Sequence, residues 1–150
     1  MVYMSSGVTF QVRSIGPEIT FQVGEKIAKV LVPGDVIELV GDLGAGKTQL
    51  VRGIAAGAGS TDDVQSPSFT VERQYQCSDY LIRHYDFHRL DNAGIMQDEL
   101  TEAIQDGDVV LIEWADSVRE VLPANTKKIE ITATSENDRI LHFINFDKQP

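Results

Sequence analysis

The run Gly41-Asp42-Leu43-Gly44-Ala45-Gly46-Lys47-Thr48 holds residue types that can grip a polyphosphate. Glycines accept backbone torsions that other residues resist, which lets successive N–H groups turn toward one anion. An ammonium at the end of such a run reaches the β and γ oxygens, each charge-assisted bond contributing about 1.5–3 kcal/mol. The Thr48 hydroxyl adds the hard oxygen that Mg²⁺ takes beside phosphate. The spacing is G-x-x-x-x-G-K-[ST], and it carries weight only between a buried strand and a helix. Anywhere else it is a glycine-rich turn with no ligand.

Phosphoryl transfer also needs a carboxylate near the metal and a group that orients the nucleophile. Glu113 closes the apolar run 109–112 and is the first candidate, weighed against an exposed acid at a strand end. Trp114 follows at once, as core packing or as cover over the site. Asp86 sits in His84-Tyr85-Asp86-Phe87-His88-Arg89-Leu90, aimed at the metal or the attacking water. In an extended segment, residues 84, 86 and 88 share one face, which is also a metal-ligand pattern or a plain set of hydrogen-bonded strand residues. Ser66-Pro67-Ser68-Phe69-Thr70 gathers three hydroxyls around a proline, as a nucleotide-responsive loop or as a proline-set turn into a strand. Which of Asp86 and Glu113 orients water is open at this level.

Elements must hold these groups in place. Residues 8–13 read as a strand, and Pro17 opens a helix whose apolar positions Ile19, Val23, Ile27, Val30 and Leu31 carry it toward Pro33-Gly34. The β-branched run 35–40 is a buried strand, and 46–58 has helical period, so the glycine loop lies between strand and helix. Residues 69–75 and 80–85 predict a hairpin, and 95–104 a short solvent-facing helix. Residues 109–113, apolar on both faces, predict a central strand. The alternating stretches 128–133 and 139–146 predict a closing hairpin.

The 150 residues suit one domain, 1–150. A hydrophobic share of 42% with 24% charged residues is ordinary globular usage and excludes disordered and collagen-like classes. With 13 basic and 23 acidic side chains the net charge is −10, which repels phosphate backbones and anionic membranes over most of the surface. Any tight nucleic-acid contact would therefore be local or borrowed from a partner. One cysteine, Cys77, forms no internal disulfide, and no apolar run is long enough for a bilayer, so a cytoplasmic protein without membrane contact is expected.

Four motifs in order, Gly-Asp-Leu-Gly-Ala-Gly-Lys-Thr at 41–48, Ser-Pro-Ser-Phe-Thr at 66–70, His-x-Asp-x-x-Arg-Leu at 84–90 and Leu-Ile-Glu-Trp at 111–114, resemble the TsaE (YjeE) family of small ATPases of tRNA threonylcarbamoyladenosine synthesis. The resemblance runs from Pro17 to the closing strands. It implies an α/β, P-loop NTPase-like three-layer sandwich whose mixed sheet includes antiparallel strands. It also implies ATP and Mg²⁺ as ligands, with Thr48 and Glu113 at the metal. Nucleotide binding would fall to Gly41, Asp42, Leu43, Gly44, Ala45, Gly46, Lys47, Thr48, Thr70 and Trp114, and catalysis to Lys47, Asp86 and Glu113. Implied partners are TsaB and TsaD, whose cycle the ATPase would drive. Ser68 and His88 stand where the family usually has Thr and Tyr, so no role passes to His88.

Other activities fit this loop less well. A P-loop small-molecule kinase needs an acceptor pocket and an arginine-rich lid, yet the arginines here are few and scattered. A GTPase reading has Asp91-Asn92-Ala93-Gly94 in its favour but lacks Asn-Lys-x-Asp for guanine. A binding module without hydrolysis would not need Lys47, Thr48, Asp86 and Glu113 together. The segment 15–18 is a candidate wall of the adenine pocket.

Overall fold

The computed structural model describes residues 8–42, 44–64, 72–88 and 94–146. Among the described residues, seven strands, β1 (Val8–Ser14), β2 (Val36–Val40), β3 (Glu72–Gln76), β4 (Leu81–Asp86), β5 (Val109–Glu113), β6 (Lys127–Ala133) and β7 (Arg139–Phe146), form one sheet in the order β1-β7-β6-β2-β5-β4-β3. Strands β6, β2, β5 and β4 run parallel, while β3 joins β4 and β7 joins both β6 and β1 antiparallel. The sheet is therefore mixed, with its parallel strands at the centre.

Period-two alternation sorts side chains onto two faces. Ile37, Leu39, Val109, Leu111 and Ile82 pack under α1 (Pro17–Ala28) and α2 (Lys47–Gly57). Val36, Val110, Ile112 and Tyr85 pack under α3 (Ile95–Gln105) and a 3-10 segment, Ala115–Val121. Helices on both faces of a parallel centre explain why β5 is buried at all five positions. The three layers predicted from sequence are present, and the sheet faces decide which acids meet the glycine loop.

One boundary and one helix environment differ from the sequence reading. Helix α1 stops at Ala28, because the amides of Lys29 and Val30 bond back three residues to Lys26 and Ile27 and tighten the last turn. Leu31, which keeps the helical spacing, is buried from the following loop instead. Helix α3 is not merely solvent-facing: Leu100 and Ala103 are fully buried against the sheet.

Helices α1 and α2 approach through Gly24, Gly53 and Gly57. A β-carbon on Gly53 would overlap the Phe21 carbonyl oxygen, so the helix axes could not stay this close. Gly53→Ala is expected to destabilise the fold by about 1–3 kcal/mol despite alanine's better helix propensity. A thermal melt followed by circular dichroism checks it, and an unchanged midpoint would show that the helices can separate freely.

Candidate nucleotide site

The glycine loop leaves β2 at Gly41 and enters α2 at Lys47, as the spacing requires. A β-carbon on Gly41 would sit 2.8 Å from the Ile131 carbonyl on β6, so the loop starts hard against its neighbouring strand. Gly44 and Gly46 adopt left-handed φ angles of 80° and 108°, where an L side chain is strained. A β-carbon at either would meet nothing within 4 Å, so the space above the loop is open. The Ala45 amide bonds to the Asp42 carbonyl at 3.0 Å and closes the turn.

Lys47 is the first residue of α2, and the first turn contains no acid. A helix N-terminus already carries partial positive charge, so a buried ammonium there is unfavourable unless an anion offsets it. Lys47 is only 7% exposed. Its Nζ donates to the Gly41 carbonyl and lies 3.7 Å from Glu113 Oε1 and 4.8 Å from the centre of the Trp114 ring. Thr48 follows, half-buried, in the same turn.

Glu113 arrives from the end of β5, on the face that carries Val109 and Leu111 toward α2. It is 4% exposed, and its Oε2 lies 2.6 Å from His84 Nε2. Asp86 pairs with Glu113 in the parallel β4–β5 register, so two carboxylates end adjacent strands beside the loop. Asp86 Oδ1 accepts the His88 amide at 2.8 Å, which turns the chain out of β4. His88 is therefore beyond the strand, and the shared face of 84, 86 and 88 does not form; its ring lies 4.6 Å from Trp114 instead.

Trp114 has φ 57° and ψ 56°, an outlying conformation for a bulky residue. Strain of this kind costs on the order of 1–3 kcal/mol and persists where surrounding structure enforces it. Here it swings the indole over Lys47 rather than along the strand. Beneath, the carboxylate of Glu38 takes both terminal nitrogens of Arg119 at 3.0 and 2.9 Å, tying β2 to the 3-10 segment. A cleft of about 180 Å³ is lined by Glu38, Gly41, Asp42, Lys47, Trp114 and Asp116 among others.

Arg139 is a residue that sequence reasoning missed. From β7 its Nε donates to the Ala45 carbonyl at 2.9 Å, and its Nη1 donates to the carbonyls of Ser135 and Asp138, each at 3.0 Å. A planar guanidinium with five donors thus ties the phosphate loop to the closing turn. On that side a cleft of about 160 Å³ runs between Gly16, Pro17 and Thr20, the loop, and Asn137. It includes part of the 15–18 wall expected for a base. Leu43 and Thr70 lie outside the described residues, as does the rest of the 66–70 segment.

The donor set suits a triphosphate with Mg²⁺. Thr48 and Glu113 carry hard oxygens, and the buried Lys47 ammonium lies 3.7 Å from Glu113 Oε1. Among the described residues, no group of three or more His, Cys, Asp or Glu side chains could hold a metal ion without such help. Burial pushes the Cys77 thiol up to about 11, so it is protonated at neutral pH and takes no nucleophilic part.

A family model described as "Threonylcarbamoyl adenosine biosynthesis protein TsaE" matches residues 16–141. The chain belongs to the TsaE family. Similar proteins carry the name tRNA threonylcarbamoyladenosine biosynthesis protein TsaE. One from Bacillus subtilis is 36% identical over 136 residues, covering 87% of this chain and 82% of the relative. Another from Rickettsia felis is 31% identical over 128 residues, covering 85% and 75%. The crystal structure of Bacillus subtilis YdiB superposes with a TM-score of 0.77 at 30% identity, covering 95% of this chain and 88% of that one. The TsaE fold is thus the α/β architecture described above. Among the described residues, no helix is long and apolar enough to cross a membrane.

Proposed function

We propose that this chain is a Mg²⁺-dependent ATPase of tRNA threonylcarbamoyladenosine synthesis, working on a TsaB–TsaD complex in the cytoplasm and meeting tRNA through those partners. The observation that carries the reading is the buried Lys47 ammonium at a helix N-terminus, under an open loop of left-handed glycines. That arrangement concentrates positive charge within a molecule of net charge −10, and a polyphosphate is the anion that would balance it.

Lys47 would leave the Gly41 carbonyl and bridge the β and γ phosphates, while loop amides hold the remaining oxygens. Thr48 and Glu113 would hold Mg²⁺, which when bound neutralises charge on the β and γ oxygens. Asp86, the register partner of Glu113 on the neighbouring strand, would orient water for in-line attack. Trp114 over Lys47 would shield the transferring group from bulk water.

The test is ATP hydrolysis by the purified chain with and without TsaB and TsaD from the same source. Weak turnover alone and clear stimulation by the pair are expected. An unstimulated rate, or none, would overturn the assignment.

A further inference from the structure

Glu113 is not held by Lys47 alone. We infer that His84, backed by Tyr75, is the positioning residue that fixes which oxygen of Glu113 faces the phosphate loop; the inference rests on the ATPase reading above. His84 lies on β4, two residues before Asp86, and is fully buried. Its Nε2 is 2.6 Å from Glu113 Oε2 and its Nδ1 is 3.3 Å from the Tyr75 hydroxyl, itself on β3 and 1% exposed. The three side chains come from three adjacent strands and share the face turned toward α2.

The network assigns the protons. A carboxylate only accepts, so Nε2 carries the hydrogen of the short bond. In the neutral imidazole Nδ1 is then the acceptor, and Tyr75 donates to it. A chain of two bonds thus runs from the sheet edge to Glu113 and occupies Oε2. Oε1 is the oxygen left on the Lys47 side, at 3.7 Å. Glutamate has three rotatable side-chain bonds, and Lys47 must leave its unliganded contacts to meet phosphate. His84 keeps the carboxylate aimed while its other partner moves, as outer-sphere hydrogen bonds do for metal-ligating groups.

The same imidazole could simply be a satisfied core group, and the test separates the two. His84→Gln keeps an N–H donor at about the reach of Nε2, whereas His84→Asn keeps one only near Nδ1, and His84→Leu keeps none. Tyr75→Phe removes the hydroxyl while preserving the ring. In stimulated hydrolysis, His84→Asn and His84→Leu are expected to lose about 10- to 100-fold in kcat and to need more Mg²⁺ for half-saturation. ATP affinity without metal should stay within about twofold, and His84→Gln should restore most of the rate.

A metal-free readout comes from nitrogen-15 spectra of the histidine-labelled chain. They should show His84 in the Nε2–H tautomer, with the Nδ1 resonance moved by Tyr75→Phe. A folded His84→Leu protein with wild-type kcat and Mg²⁺ dependence overturns the positioning role alone, as does an Nδ1–H tautomer. Wild-type protein that hydrolyses nothing with its partners overturns the ATPase reading and the positioning role with it. If His84→Leu fails to fold, the tautomer and the Tyr75→Phe rate decide: an unmoved Nδ1 resonance and an unchanged rate count against the role.

Discussion

Lys47→Ala is expected to abolish measurable ATP turnover and weaken ATP binding by a factor on the order of 10² to 10⁴. Two charge-assisted bonds to phosphate, at about 1.5–3 kcal/mol each, give that range. The folded state should suffer far less. Removing the ammonium leaves Glu113 without one neighbour, but it also removes a cation from the positive end of α2. His84 still holds Glu113 Oε2. Calorimetric titration of ATP into both proteins, with a thermal melt alongside, separates binding from folding. A variant with ATP affinity within threefold of the parent would show that the ammonium serves packing alone.

Glu113→Gln should divide the two halves of the site. The amide keeps the size of the side chain and can still accept from His84, so the fold should persist. Hydrolysis is expected to drop by about 10² or more, the scale of losing a positioned acid–base or metal-holding group. ATP binding without Mg²⁺ should be unchanged or tighter, because a carboxylate 3.7 Å from Lys47 Nζ repels phosphate. The opposite signs distinguish this residue from Lys47. Equal rates for Glu113→Gln and the parent would remove Glu113 from the metal and the reaction.

Much of this was legible along the chain because local periods and local chemistry agree. The β2–loop–α2 unit is written in a β-branched run, glycines and a helical period. Glu113 stood out because it ends an apolar strand, and Asp86 because it sits in the dense cluster 84–90. What could not be read depends on pairing across long separations. Nothing in residues 127–133 says that this strand lies parallel beside β2, yet that placement brings the Ile131 carbonyl against Gly41. Arg139 reaches the loop across 94 residues, a distance at which spacing carries no signal. His84 read as a metal-ligand candidate or a hydrogen-bonded strand residue, and only the packing of β4 beside β5 brings its Nε2 to Glu113 Oε2. The left-handed turn at Trp114 was hidden as well, since a bulky side chain gives no hint of positive φ.

Trp114 is the sole tryptophan and sits over Lys47, so its fluorescence reports directly on the loop. Titrating the wild-type chain with ATP and Mg²⁺ while following that emission tests the central claim. A saturable change with one nucleotide per chain, absent in Lys47→Ala, is the result expected here. Emission that stays flat into millimolar ATP, with no heat of binding, would mean that this loop does not hold a triphosphate.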